Sequence, residues 1–213
     1  MFGKSRSQRR AILSASSALA LIAGLGGNAG ACTNLTGPAD FLAFENTGVL
    51  DCVSVTNGAR VHGNLSNGST GVIGPPASSQ PATVSINNST ISGAVTNSGQ
   101  ILAGGTTPGG ILVTGGSVVS SGVVNNTTGT ISVSGTGGSA FGIKVSQSSF
   151  SGGITNNGVI TVTNTGNAVG LVVGGSSPPP PPPPASINPG SPVITGSTVT
   201  TTNTSGGRKH RQP

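Results

Sequence analysis

The segment Ser-Gly-x-Val/Ile-x-Asn returns along this chain at a nearly constant step, and that repetition constrains the fold more than any single residue does. It reads Ser92-Gly93-Ala94-Val95-Thr96-Asn97, then Ser121-Gly122-Val123-Val124-Asn125-Asn126, then Ser151-Gly152-Gly153-Ile154-Thr155-Asn156. A fainter copy precedes them at Gly63-Asn64-Leu65-Ser66-Asn67, so the glycines step by 30, 29 and 30 residues. Self-similarity at a period of about 20 to 50 residues marks stacked units, none of which can bury its apolar face alone.

Each Asn is followed by a turn glycine and then by alternation: Gly99-Gln100-Ile101-Leu102-Ala103, Gly129-Thr130-Ile131-Ser132-Val133 and Gly158-Val159-Ile160-Thr161-Val162. Period-two alternation puts Ile131 and Val133, or Ile160 and Val162, on one face of a strand and most hydroxyl residues on the other. A second block, Gly138-Ser139-Ala140-Phe141-Gly142-Ile143-Lys144-Val145, matches Gly166-Asn167-Ala168-Val169-Gly170-Leu171-Val172-Val173 at a step of 28. The pattern predicts about three short strands per unit and a parallel β-helix of about four coils. Leu65, Val95, Val124 and Ile154 then form one internal column, and Asn67, Asn97, Asn126 and Asn156 another at a corner. With neighbouring coils about 4.8 Å apart, those side-chain amides come within hydrogen-bonding range of one another. Asn is also a turn residue in its own right, tolerant of left-handed backbone angles.

Composition decides between this reading and disorder. Gly, Ser and Pro enrichment with 2% aromatic residues is the usual mark of an unfolded chain. Here, however, mean hydropathy is +0.13, and Val and Ile alternate with Ser and Thr, residues suited to a pleated, half-buried surface. The net charge of +6 is confined to the ends. Lys4, Arg6, Arg9 and Arg10 precede an apolar leader, and Arg208, Lys209 and Arg211 close the chain. Between Cys32 and Ser177, Arg60 and Lys144 stand against Asp40, Glu45 and Asp51, a net charge of −1. Nucleic acid is not an expected partner, because counterion release needs clustered basic groups.

Residues 1–31 carry the parts of a secretory signal peptide: the basic start, an apolar stretch over 11–27, and the cleavage signal Ala29-Gly30-Ala31. Cleavage there leaves Cys32 first. Arg9-Arg10 resembles a twin-arginine export signal, and Sec and twin-arginine routes both stay open. Export places the mature chain in the periplasm, at the cell surface or outside the cell, where disulfides persist. The two cysteines, Cys32 and Cys52, are expected to pair and to secure an N-terminal entry segment, 32–60. Repeats follow over 61–175, then a low-complexity, disordered tail over 176–213, which holds seven prolines (178–184) and a Thr-rich stretch.

The leader, the repeated units and the 138–145 block together resemble the passenger region of bacterial autotransporters, the type V secretion route, over residues 1–175. The resemblance implies a right-handed parallel β-helix, displayed at the cell surface and commonly acting as an adhesin. It also implies a C-terminal outer-membrane barrel, for which the 36 residues after Ser177 are too few. Two alternatives stay open: a product truncated before its barrel, favoured here because neither end of the stack shows an evident polar cap, and a small exported solenoid.

Chemistry is sparse. Asp40, Glu45 and Asp51 are the only carboxylates and all precede the repeats, whereas glycoside cleavage needs a positioned pair. His62 and His210 stand apart in sequence, and no metal or cofactor is expected. Asp51, His62 and one of the serines could be assembled on paper into a triad, but no Gly-x-Ser-x-Gly elbow supports it. The expected function is non-enzymatic: an adhesin-like interaction protein whose partner is a cell-surface or extracellular ligand, or another copy through the solenoid ends. The rival readings are a carbohydrate-active β-helix enzyme and a remnant reading frame.

Overall fold

The structure, a computed structural model, describes residues 19–23, 32–75, 80–174, 194–196 and 199–203. Every element in it is a strand, and the strands pair in parallel. After an N-terminal strand β1 (Leu19–Ala23), a short first turn comprises β2 (Cys32–Thr36), β3 (Asp40–Asn46) and β4 (Val49–Leu50). The second turn has β5 (Cys52–Thr56), β6 (Arg60–Val61), β7 (Leu65–Asn67) and β8 (Val72–Ile73). The third has β9 (Val84–Asn87), β10 (Thr90–Ile91), β11 (Val95–Asn97) and β12 (Gln100–Gly105). The fourth has β13 (Gly109–Thr114), β14 (Val118–Val119), β15 (Val123–Asn125) and β16 (Thr130–Gly135). The fifth has β17 (Ser139–Ser146), β18 (Ser149–Phe150), β19 (Ile154–Asn156) and β20 (Val159–Asn164). Strands β21 (Asn167–Gly174), β22 (Ile194–Gly196) and β23 (Val199–Asn203) follow.

These strands wind through three faces in a fixed order. The first face stacks β2-β5-β9-β13-β17-β21, and the third stacks β4-β8-β12-β16-β20-β23. Between them lies the second face, bent so that β6, β10, β14 and β18 occupy one half and β7, β11, β15 and β19 the other, while β3 runs through both. The molecule is a parallel β-solenoid of about four full turns with a shorter turn at its N-terminal side.

Its core is a set of aliphatic columns. Leu35, Val55, Ile86, Val113 and Val145 lie in register on the first face, each buried. Phe44, Leu65, Val95, Val123 and Ile154 do so on the second. Ile73, Ile101, Ile131 and Ile160 do so on the third. Repetition of a β-branched or otherwise aliphatic residue at the same step is what lets each coil cover the apolar face of the next.

Three expectations need correcting. The internal column of the second face passes through Val123, and Val124 lies outward beside Thr96 and Thr155. The reason is a shorter step that is already set upstream of the motif: Ser120, not Ser121, stands where Ser92 stood, bonding Ile91 as Ser92 bonds Val61, and Gly122 takes the place of Ala94. Next, the entry segment 32–60 is itself built into the stack, contributing strands to all three faces. Finally, the Thr-rich part of the tail is not a disordered appendage: Ile194–Gly196 pairs with β19 and Val199–Asn203 with β20. Val-Thr-Thr-Thr-Asn repeats the alternation of Ile-Thr-Val-Thr-Asn in β20, and β-branched threonine suits a ladder. The cleavage signal at 29–31, most of the signal peptide, the seven prolines and the basic C-terminus lie outside the described residues.

Candidate functional site: an amide column and hydroxyl faces

The most ordered polar feature stands at the corner between the second and third faces. Asn46, Asn67, Asn97, Asn125 and Asn156 superpose there, all buried. The Nδ2 of each donates to the Oδ1 of the next at 2.8 Å: Asn46 to Asn67, Asn67 to Asn97, Asn97 to Asn125, Asn125 to Asn156. The same nitrogens also donate to main-chain carbonyls of the corner, Asn67 to Gly71 and Gln100 and Asn125 to Gly129 and Val159. Buried amides are tolerated only when bonded in this way. Gly129 is needed because a Cβ there would meet the Oδ1 of Asn125 and the carbonyl of Asn97.

Of the four asparagines singled out from sequence, Asn67, Asn97 and Asn156 stand in the column. Asn126 does not: the step into its coil is 28 residues against 30 for the one before, which puts Asn125 there, and Asn126 instead donates to the Oγ of Ser98 at 2.8 Å on a half-buried surface. Asn46 was missed by the sequence reading. Its signal was present in Phe44-Glu45-Asn46, an apolar residue two places before Asn as in Leu65-Ser66-Asn67.

Cys32 and Cys52 face each other in β2 and β5 and form a disulfide with a Cα–Cα distance of 4.4 Å. It ties the first turn to the second.

The ionisable residues are not gathered. Asp40 lies beside Arg60 in the register of β3 and β6, and its Oδ1 is 3.3 Å from the Nε2 of His62, with both side chains about half exposed (50% and 54%). Asp51 is buried in the bend between β4 and β5. The histidine's carboxylate neighbour is thus Asp40, and the imagined grouping of Asp51 with His62 does not form. Lys144 lies 5.7 Å from the ring centre of Phe141 on the outer side of the first face, where the ring covers Gly109. Among the described residues no cluster of three or more His, Cys, Asp or Glu could hold a metal ion. Among them, too, no helix is long and apolar enough to cross a membrane.

What the outer surface offers is regular and largely uncharged. On the third face Leu102, Ser132, Thr161 and Thr200 form one outward row, and Gly104, Ser134, Thr163 and Thr202 a second. On the second face Glu45, Ser66, Thr96, Val124 and Thr155 form another, in which Thr96 donates to the Ser66 hydroxyl at 2.9 Å. Hydroxyl rows of this kind suit many weak, aligned contacts with an extended surface.

Fold and surface together define a disulfide-tied parallel β-solenoid with an internal asparagine column. No protein-family model, curated protein or solved structure matches the chain.

Proposed function

We propose that this chain is an exported, non-enzymatic interaction protein of the autotransporter-passenger kind, which presents hydroxyl-rich solenoid faces to a cell-surface or extracellular ligand in the manner of an adhesin. The observation that carries this reading is the Cys32–Cys52 disulfide, a bond that persists in oxidising compartments outside the cytoplasm. The leader upstream of Cys32 agrees with it, and so does the Ser and Thr content of the outward rows.

Expression of the full chain in an export-competent bacterium tests the reading. The expected product begins at Cys32, carries no free thiol, is degraded by protease added to intact cells, and adheres to immobilised cell-surface or matrix material. A product retained in the cytoplasm with residues 1–31 attached and both thiols free would overturn it.

A further inference from the structure

The two ends of the solenoid differ in charge and in what covers them. At the N-terminal end β1 runs parallel to β3, with Leu19 opposite Phe41, Leu21 opposite Phe44, Ile22 opposite Glu45 and Ala23 opposite Asn46. Asp40 and Glu45 lie exposed on β3, and with Asp51 they are all the carboxylates of the chain. At the other end β21, β22 and β23 are the outermost described strands of the three faces. No acidic residue follows Asp51, and five residues beyond Asn203 comes Arg208-Lys209-His210-Arg211. One end is acidic; the other leads into a basic cluster.

We propose that the leader strand Leu19–Ala23 is a removable cover for the edge of β3, and that its loss lets the C-terminal end of a second copy dock there, head to tail. The proposal rests on residues 1–31 being a cleaved leader. An uncovered strand edge presents a row of main-chain donors and acceptors and is a ready template for another strand. The C-terminal end of a second copy fits it best. It offers parallel strands in the same three-face outline, and the sequence that follows it is basic where Asp40 and Glu45 are acidic. Two N-terminal ends meeting would oppose those carboxylates to their own copies, an arrangement that like-charge repulsion disfavours. Head-to-tail contact is heterologous, so it builds linear chains and not a closed dimer.

The test uses the full chain with Ala29-Gly30-Ala31 replaced by the site of a specific protease, studied by sedimentation velocity and circular dichroism before and after cutting. The uncut chain is expected to stay monomeric. The cut chain should keep its β spectrum and form species rising in steps of one chain with concentration, dispersed by high salt. Glu45→Lys should weaken this association about fivefold, and combining it with Arg208→Glu should restore part of the loss. Three results would overturn the proposal: a cut chain that is folded and monomeric, an uncut chain that associates equally well, or association indifferent to salt and to both substitutions. A cut chain that loses its β spectrum overturns it too, since β1 would then hold the fold together and not merely cover its edge.

Discussion

Asn97 illustrates how much one side chain does in this molecule. It is fully buried, accepts from Asn67, and donates to Asn125 and to the carbonyl of Thr130. In Asn97→Ala the Asn125 oxygen loses its donor inside the protein, and an unmet buried polar group costs about 1–3 kcal/mol. For a domain of this size that is a fall of about 2–4 °C in melting temperature per kcal/mol. Asn126→Ala removes only the surface bond to Ser98, so its melting curve should move by less than half as much. If thermal denaturation ranks the two variants the other way, the column does not have the role assigned to it. Gly129→Ala should be destabilising as well, because its methyl group enters the space of Asn125. The asparagine column was legible in the repeat, but its fourth-coil member was not. Val123-Val124-Asn125-Asn126 satisfies the apolar-x-Asn pattern in two registers, and the preceding Ser-Gly pair pointed to the wrong one. Only the strand register, with Val118 already opposite Thr90, resolves the choice.

Among elements, the first turn and the last strands were the hardest to read. Strand β2 lies before the repeated motif, but its Cys-Thr-Asn-Leu-Thr follows the Cys-Val-Ser-Val-Thr of β5, with Cys32 opposite Cys52 and Leu35 opposite Val55. Closing a loop of about 20 residues by the disulfide contributes about 3 kcal/mol in the chain-entropy description. Reduction, or Cys52→Ala, should therefore lower the unfolding free energy by a comparable amount, followed by urea unfolding with and without reductant. The end strands were obscured by composition: Thr-rich sequence after seven prolines reads as low complexity, although Val199–Asn203 copies the alternation of β20. Pro at position 200 removes a main-chain donor from that ladder. In Thr200→Pro, amide exchange of β20 should rise toward the rate of an edge strand while β16 stays protected. Equal protection of β20 in the variant would show that β23 does not pair with it.

At the scale of the whole molecule, stability should be graded along the solenoid axis. Each coil touches only its neighbours, so the interior coils are held from both sides and the outer ones from one. Hydrogen exchange should be slowest in Gly109–Thr114 and Thr130–Gly135, with protection falling toward both ends. Ile131, fully buried between Ile101 and Ile160, is at the centre of that pattern. Ile131→Ala should cost about 2–5 kcal/mol and loosen the third and fifth turns together, as measured by exchange at β12 and β20. The three-faced parallel stack itself was readable from the period and the alternation alone, because both follow from aliphatic residues recurring at one step.

The prolines 178–184 fall between β21 and β22, two strands that both belong to the stack. Severing the backbone within 175–193 consequently divides the polypeptide without dividing the sheets. The short C-terminal piece keeps its pairing with β19 and β20 as its only link to the rest, so a cut solenoid is expected to behave as a two-part complementation system in which a synthetic peptide spanning 194–213 replaces the native one.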